Sequence, residues 1–326
     1  MKLSELGERK LIELIMGLIR VNPKSLLKLG MDDAEAISLS DGIYVFNTDF
    51  VAESTDLLPG MTYWQLARKC IVANVADLAA KGAEVEGFLA SVALPPDFSV
   101  KSFEEIFKGL DQGAAEYNSY LIGGDLGEAK EAVISVTAFG KVRKTLISRA
   151  GAKEGDLVVV TGFFGWNTLA FKALLEGLEL PNTIKEKALE AVFMPKAPLR
   201  EGLILSELGG VTSAIDSSDG LYISLYHLSR TSNVGFLIER LPIEDELVKF
   251  LLRRNLDIIE TVFYGGEEFH LVFTVSPSSW ERIKRAFMSE RLRAIPIGKV
   301  TSETNITVIQ DSKEVILHED GWEHFT

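Results

Sequence analysis

The sequence predicts a mixed α+β protein with two domains, and three observations support this prediction. In the first half, strands outnumber the helices inserted between them, which is typical of an α+β layer rather than of a doubly wound sheet. A small, polar stretch with two glycines, SRAGAKEGD at 148–156, precedes a second half that mixes strands and helices at similar lengths. With 326 residues, the chain is long enough for each half to bury its own core. We therefore expect domains at 1–147 and 148–326.

The first half is predicted to begin with a helix over 4–20. Ser4 can cap this helix, and Glu5 and Glu8 suit its positive end. Further helices are predicted over 62–81 and 102–117, and strands over 43–48, 86–94, 119–123 and 131–142.

The second half is predicted to begin with the strand DLVVVTG at 156–162. Further strands are expected over 211–216, 234–238, 269–275, 294–300 and 305–310. Helices are expected over 165–177, 184–193, 198–208, 219–231 and 279–289.

Composition and charge disfavour several kinds of partner. The net charge of −13 disfavours nucleic acid, because neutralising its phosphates needs clustered lysines and arginines. An acidic protein can still bind a polyphosphate when metal ions lie between the two sets of negative charge. The single cysteine, Cys70, allows neither an internal disulfide nor a zinc site built on paired cysteines. No apolar run has membrane-spanning length and the start is unlike a signal peptide, so we expect a cytoplasmic protein with no membrane partner.

Aspartates recur at the predicted ends of these elements, and one more lies inside a predicted helix. They are Asp32, Asp33, Asp49, Asp125, Asp216 and Asp219 at the ends, and Asp77 in the helix. Taken singly, each has an ordinary interpretation as a turn residue, a helix cap or a solvated side chain. Together, with few basic residues beside them in the sequence, they need a cation if they converge in space. Hard oxygen ligands of this kind suit Mg²⁺, which commonly bridges carboxylates to phosphates.

Other motifs constrain the chemistry further. Glycine pairs at 123–124 and 265–266 fit either plain turns or a close approach to phosphate, but the chain has neither a P-loop nor a dinucleotide fingerprint. Arg149, in a glycine-bearing loop, fits either a surface arginine or a phosphate clamp. None of the four histidines lies in a recognisable triad context, so the sequence offers no case for nucleophilic catalysis.

A set of motifs between Ser4 and Phe325, taken together and in their order along the chain, resembles the thiamine-monophosphate kinases. These motifs are SELGERKLI, MDDAEAI, NTDFV, NVADLAAKGA, LIGGDL, SRAGAKEGDLVVVTG, AIDSSDGL, YGGEEFHLVF, IGKV and GWEHF. The superfamily also includes aminoimidazole ribonucleotide synthetase and selenophosphate synthetase. The resemblance implies transfer of phosphate from ATP to thiamine monophosphate. It also implies an N-terminal sheet that pairs with its twin in a homodimer to form a barrel, followed by an α+β C-terminal domain.

The resemblance also implies roles for individual residues. It implies ligands for several Mg²⁺ ions at Asp33, Thr48, Asp49, Asp77, Asp125, Asp216 and Asp219. It implies ATP contacts at Gly124, Asp125, Arg149 and Ser218, with Asp125 and Arg149 acting directly in catalysis. It implies contacts to thiamine phosphate at Glu267 and Trp322.

This sequence departs from the family pattern around the substrate. Asp56 stands where the family has a histidine near the substrate, and Met31 stands where it has a glycine. The metal aspartates are retained, so ATP and Mg²⁺ are expected even if the acceptor differs. Two alternatives therefore remain. One is another ATP-using enzyme of the superfamily with a different small substrate, and the other is a nucleotide-binding protein that does not catalyse.

Overall fold

The computed structural model describes residues 3–27, 29–310 and 313–318. Its first part has five strands and four helices in the described residues up to 147. They are α1 (Glu8–Leu18), β1 (Glu35–Leu39), β2 (Gly42–Ala52), α2 (Glu53–Asp56), α3 (Tyr63–Ala80), β3 (Ala83–Leu94), α4 (Val100–Glu116), β4 (Leu121–Glu128) and β5 (Val133–Val142). The strands form one sheet in the order β1-β2-β5-β3-β4, antiparallel except for the parallel pair β3–β4.

The second part forms a separate sheet of seven strands in the order β12-β11-β8-β10-β6-β9-β7. Its strands are β6 (Leu157–Val160), β7 (Val211–Ile215), β8 (Gly235–Ile238), β9 (Val272–Val275), β10 (Ile295–Thr301), β11 (Ile306–Gln310) and β12 (Lys313–Ile316). Its helices are α5 (Trp166–Leu175), α6 (Asn182–Phe193), α7 (Leu199–Leu208), α8 (Leu221–Ser232), α9 (Asp245–Arg254), α10 (Ile258–Phe263) and α11 (Pro277–Ser289). The prediction of a mixed α/β protein is confirmed.

Helix α3 packs against one face of the first sheet. Thr62 and Gln65 begin it with a capping box, in which each side chain bonds the backbone N–H of the other residue. The helix is buried on most of its circumference, because it contacts the first sheet on one side and α4 and α7 on others. Gly109 of α4 permits this close packing, since a Cβ there would lie 2.3 Å from the carbonyl oxygen of Trp64.

The register of β2 decides which side chains face α3. Val45 and Val51 are buried on the helix side, whereas Phe46 and Phe50 are exposed on the other face. Because successive side chains alternate between faces, Asp49 lies on the helix side with Val45 and Val51. A functional site on this face can therefore use residues of both β2 and α3.

Two of the strand ends that were predicted wrongly concern aspartates. The strand predicted at 43–48 continues to Ala52, so Asp49 lies inside β2 and not at its end. The strand predicted at 119–123 begins at Leu121 and continues to Glu128, so Asp125 lies inside β4. Three glycines and two charged residues lowered the apparent strand propensity of 123–128. Pairing with β3 nevertheless extends the strand, which shows tertiary contacts overriding local preference.

Helix starts and several short elements also differ from prediction. Helix α1 begins at Glu8 after Gly7, and residues 3–5 form a separate 3₁₀ turn. The N-cap of helix α8 is Gly220, so this helix begins without a capping side chain at its N-cap residue. The short elements β1, α2, α9, α10 and β12 were not predicted. None of the helices in the described ranges combines the length and the apolarity needed to cross a membrane.

Candidate active site

Three of the predicted aspartates converge at the junction of the two sheets. Asp33 precedes β1, Asp77 lies on α3, and Asp216 follows β7. Each offers a carboxylate oxygen, and the three oxygens lie within 4.8 Å of one another. The side chain of Asp33 is fully buried, and Asp216 is only 4% exposed. We call Asp33, Asp77 and Asp216 the acidic cluster.

Asn47 joins Asp49 to this cluster. Its Nδ2 donates to Asp77 Oδ2 at 2.8 Å and lies 3.3 Å from Asp49 Oδ2. The same nitrogen lies 3.1 Å from Oδ1 of the buried Asn74. The Oδ1 atom of Asn47 is itself buried and has no hydrogen-bond partner within the described part of the chain. One neutral amide thus holds two carboxylates and leaves an acceptor atom open for a cation or a donor.

Several carboxyl groups of this site have raised pKa values. Loss of hydration is the largest cause for Asp77, followed by the charges of Asp49 and Asp216, and its pKa lies well above the usual value. Loss of hydration and the charge of Asp33 likewise raise the pKa of Asp216 well above its usual value. Loss of hydration raises the pKa of Asp49 to about 6. The ionised forms are therefore costly without a cation, as expected where carboxylates crowd together.

Asp33 behaves differently, because two buried cations contact it. Lys81 Nζ lies 2.7 Å from Asp33 Oδ2, and Arg149 Nε donates to Asp33 Oδ1 at 2.7 Å. Burial alone would raise the pKa of Asp33, but Arg149 and Lys81 outweigh burial and hold the pKa below its usual value. Few basic residues lie beside these aspartates in the sequence, but the fold brings two distant cations to Asp33. The fold also pairs Asp32 with Lys81.

The acidic cluster fits a magnesium site. Its donors are hard carboxylate oxygens, and ligands about 2.0–2.1 Å from one ion lie at most ~4.2 Å apart. The separations within 4.8 Å therefore need only a small adjustment to share an ion. The open Oδ1 of Asn47 and the raised pKa values of Asp77 and Asp216 fit the same conclusion. Asp219 is partly exposed, and its charge acts on Asp216, so it adjoins the cluster.

Two predicted metal ligands have side chains on the opposite face of the first sheet. The Thr48 hydroxyl points away from α3 and accepts a hydrogen bond from Thr137 Oγ1 at 3.1 Å. Asp125 pairs in register with Ser91, whose side chain is also exposed on that outer face. Asp125 is exposed on the edge strand β4. A single chain therefore does not bring the Thr48 hydroxyl or Asp125 to the acidic cluster.

Two loops meet next to the cluster and carry further predicted residues. We call residues 216–220 the serine loop and residues 265–269 the glycine loop. Ser218 O accepts a hydrogen bond from Glu267 N at 2.6 Å, and Ser217 O accepts one from Phe269 N at 2.8 Å. These bonds place Ser218 and Glu267 side by side.

Glycines let the two loops approach each other. A Cβ at Gly220, which has φ of 101°, would lie 1.9 Å from the carbonyl oxygen of Gly265. A Cβ at Gly265 would lie 1.9 Å from Thr168 Oγ1. Glu267 and Phe269 have φ of 62° and 55°, in a left-handed region that is uncommon for residues other than glycine. Such backbone strain is frequent at functional sites.

Glu267 forms an ion pair that the sequence did not reveal. Lys69 Nζ lies 2.6 Å from Glu267 Oε1, and the Lys69 side chain is only 3% exposed. The other carboxylate oxygen, Oε2, is buried without a hydrogen-bond partner among the described residues. The same Lys69 nitrogen donates weakly to the carbonyl oxygen of Asp56 at 3.4 Å. Lys69 thus links the residue at 56 to the predicted substrate contact.

The Asp56 carboxylate bonds to its own turn. Its Oδ2 accepts from the backbone N–H of Ala52 at 2.9 Å and from Thr55 Oγ1 at 2.6 Å. The charge of Asp56 is therefore partly satisfied without any ligand. Trp322, the other predicted substrate contact, lies outside the described residues.

Three residues of this site were missed by sequence reasoning: Asn47, Lys69 and Lys81. Lysine side chains on helices usually reach solvent, so nothing in the sequence indicated that Lys69 and Lys81 are buried. The spacing does contain a hint, because Lys69, Asp77 and Lys81 follow one another at intervals of eight and four residues. Residues at such intervals lie on the same side of a helix.

Two family models match the chain. The N-terminal domain of AIR synthase related proteins matches residues 31–142, and the C-terminal domain of the same proteins matches residues 153–311. Since these matches together span more than half of the chain, they define its class as an AIR synthase related protein.

Individual relatives narrow this class. A curated thiamine-monophosphate kinase from Nitrosopumilus maritimus is 32% identical over 308 residues, which is 94% of this chain and 97% of that protein. One from Pyrococcus horikoshii is 34% identical over 295 residues, 90% of each chain. A solved structure described as AaThiL complexed with AMPPCP and TMP has 27% identity, a TM-score of 0.86 and 99% coverage of both chains. This chain therefore belongs to the thiamine-monophosphate kinase family.

Proposed function

We propose that the chain transfers the terminal phosphate of ATP to thiamine monophosphate, which gives thiamine diphosphate and ADP. The observation that carries this proposal is the acidic cluster, with carboxylate oxygens within 4.8 Å of one another, beside the Arg149 guanidinium. Family membership supports it, because curated members are named for this kinase activity. A solved relative described with AMPPCP and TMP supports the same pair of substrates.

The chemistry fits a site without a strong base. Phosphoryl transfer needs an in-line approach and neutralised charge more than it needs covalent help. The attacking atom is an oxygen of the substrate's own phosphate, which is already ionised. Burial lowers the pKa of His227 to about 3 and the pKa of His270 to about 4, so both are weak bases. Their weakness does not count against this reaction.

We assign Mg²⁺ to the acidic cluster, with Asp49 and Asp219 adjoining it. When bound, Mg²⁺ would reduce the repulsion between two phosphate-bearing substrates. Arg149, whose side chain is 16% exposed, can turn its guanidinium from Asp33 toward a phosphate. Ser218 and Glu267, held together by their loops, would contact ATP and thiamine phosphate respectively.

We assign part of the nucleotide site to a groove along β4. The groove has a volume of about 540 Å³ and is lined by Gly123, Gly124, Asp125 and Phe107, among others. Gly124 is required by the sheet itself, because a Cβ there would lie 1.9 Å from the carbonyl oxygen of Ala90. Since Asp125 lies on the outer face, we propose that it reaches a metal only after assembly of a homodimer.

The outer face of the first sheet supports that assembly. It exposes several large apolar side chains, including Phe46, Phe50, Leu89 and Ile122. Phe50 is 60% exposed, and Ile122 is 58% exposed. Apolar patches of this kind mark interaction surfaces, and the edge strand β4 offers unpaired backbone groups beside them. We propose a twofold dimer through this sheet, and a division of each chain into domains at residue 148.

The dimer prediction is tested by light scattering at micromolar concentration. We expect twice the chain mass for the unaltered protein and the mass of one chain for Phe50→Glu, because a charge would be buried in the interface. Leu175→Glu is the matched control, since Leu175 is 62% exposed on α5 and should leave the mass unchanged. A monomer mass for the unaltered protein would contradict the prediction.

The activity is tested by measuring ATP consumption with thiamine monophosphate and with a few other phosphorylated metabolites. We expect turnover with thiamine monophosphate, and calorimetry should show ATP binding with Mg²⁺ but little in EDTA. Mg-dependent ATP binding without turnover of thiamine monophosphate would indicate another acceptor. ATP binding without any turnover would indicate a protein that does not catalyse, and equal affinity in EDTA would remove the metal from the proposal.

A further prediction concerns Asp56. Its carboxylate is bonded by its own turn, so Asp56→His should change kcat/KM for thiamine monophosphate by less than about tenfold, or ~1.4 kcal/mol. Glu267→Ala should cost more, mainly in KM if Glu267 binds the ground and transition states alike. The two variants are compared by steady-state kinetics. A larger loss for Asp56→His than for Glu267→Ala would refute this ranking.

A further inference from the structure

Lys81 is a fully buried cation at the end of α3. Its side chain is 0% exposed, and its Nζ contacts the carboxylates of Asp32 and Asp33 and the carbonyl oxygen of Ala214, the last at 3.3 Å. Asp32 also accepts hydrogen bonds from Ser148 Oγ at 2.9 Å and from Arg149 N at 3.1 Å. The pair Lys81–Asp32 is therefore hydrogen-bonded on both sides and closed to solvent.

The backbone holds Lys81 in this position. Gly82 follows it with φ of 71°, and a Cβ at Gly82 would lie 2.5 Å from the Cβ of Ser206. The turn between α3 and β3 thus packs tightly against α7. Arg149, the other cation at Asp33, has a side chain that is 16% exposed and can leave for a substrate phosphate. The fully buried ammonium group of Lys81 cannot turn toward a substrate in the same way.

The balance of charges around Lys81 indicates which carboxylates this lysine compensates and which it leaves uncompensated. Counting the acidic cluster with Asp32 and Asp49, five carboxylates face the two cations Lys81 and Arg149, which leaves three negative charges when all are ionised, and the partly exposed Asp219 adds a fourth. The five carboxylates are Asp32, Asp33, Asp49, Asp77 and Asp216. The uncompensated charge lies toward Asp49, Asp77 and Asp216, because both cations contact Asp33 and Lys81 also contacts Asp32.

We propose that Lys81 is a permanent counter-ion that takes the place of a divalent cation at Asp32. The metal requirement of this chain then falls on the acidic cluster and the adjoining Asp49, and not on Asp32. This inference rests on the proposed use of Mg²⁺. It extends that proposal by assigning part of the site's cation requirement to a side chain.

Removing the ammonium group should create a metal site. In Lys81→Met, Asp32 and Asp33 lose a buried partner but keep their carboxylate oxygens, Ser148 and Arg149. A buried carboxylate that loses its partner is strongly unfavourable, and a divalent ion can restore the balance. In Lys81→Met with Asp32→Asn, the charge and its partner are removed together. The new amide oxygen at position 32 can still accept the hydrogen bonds from Ser148 and Arg149, so this double variant should not need the extra ion.

The test counts bound Mn²⁺ per chain by equilibrium dialysis for the full-length protein and both variants. We expect Lys81→Met to bind one more Mn²⁺ than the unaltered protein, and the double variant to return to the unaltered number. Melting temperature with Mn²⁺ and with EDTA gives a second measurement, and Mn²⁺ should raise it most in Lys81→Met.

The outcomes separate this inference from the proposed function. If the unaltered protein binds no Mn²⁺, the proposed use of metal fails, and this inference fails with it. If the unaltered protein binds Mn²⁺ but Lys81→Met binds the same number, Lys81 is a structural ion pair and the inference alone is overturned. If Lys81→Met stays unfolded with Mn²⁺ while the double variant folds, a divalent ion cannot replace the ammonium and the inference is again overturned.

Discussion

We expect Asp77→Asn to lower kcat for thiamine monophosphate by about a thousandfold, which corresponds to ~4 kcal/mol in the barrier. The substitution removes one of the three carboxylates whose oxygens lie within 4.8 Å of one another. It preserves the shape of the side chain, and the new amide oxygen can still accept from Asn47 Nδ2. The loss therefore reports the missing charge at the metal. Steady-state kinetics at saturating Mg²⁺ and ATP measure it.

The same variant should be more stable than the unaltered protein in EDTA. Loss of hydration and neighbouring charges raise the pKa of Asp77 well above 3.8, so the folded protein holds this proton more tightly than the unfolded chain does. Stability contributed by the proton is present below pH 3.8 and is lost as the pH rises toward the folded pKa. Asparagine avoids that loss, so its advantage should grow as the pH rises from about 4 to neutrality. Urea denaturation at several pH values measures it.

Asp41→Asn is the matched control for Asp77→Asn. Asp41 is an exposed aspartate that pairs with Lys141 on the surface, away from the acidic cluster. This control should leave kcat unchanged. An unchanged kcat for Asp77→Asn, or a stability loss in EDTA that grows with pH, would contradict the proposed role of the acidic cluster.

Arg149→Ala should lower kcat/KM for ATP by a factor of about 100 to 1,000, as removal of a single stabilising donor does at other sites. The guanidinium already lies at the acidic cluster, bonded to Asp33, where it can stabilise charge on the transferring phosphate. Arg149→Lys should recover part of the loss, because lysine keeps the charge but lacks the planar fork.

Arg143→Ala provides the comparison for Arg149→Ala. Arg143 is an exposed arginine that pairs with Glu84 on the surface of the first sheet. If both alanine variants lose activity equally, or if Arg149→Ala keeps full activity, then Arg149 is a structural partner of Asp33 and takes no part in the reaction.

The sequence predicted α3 to within one residue at each end, and it placed Asp77 on that helix correctly. An Ala-rich apolar segment with a polar start has a strong local preference, and tertiary contacts reinforce it. From the sequence, a cation was expected only if the aspartates converge in space, and whether Asp33, Asp77 and Asp216 do so could not be predicted. Their convergence depends on how the two sheets meet, which one sequence does not reveal.

Other features of the site could not be predicted, for identifiable physical reasons. Asp49 and Asp125 were both placed at strand ends, and only the pairing of β2 and β4 with their neighbours shows that they lie inside strands. Because side chains alternate along a strand, the two then face opposite sides of the sheet. The buried positions of Lys69 and Lys81 depend on carboxylates distant in sequence, at Glu267 and Asp32.

The contact between the serine loop and the glycine loop limits how this protein can vary by mutation. Any side chain at position 220 meets the carbonyl oxygen of Gly265, and any side chain at 265 meets Thr168. A substitution at Gly220 pushes the two loops apart, and one at Gly265 pushes the glycine loop away from α5, so either disturbs the placement of Ser218 and Glu267. Substitutions that alter the acceptor specificity are therefore tolerated only at positions whose side chains point away from this contact. Libraries made to redirect the kinase to new acceptors should keep both glycines fixed.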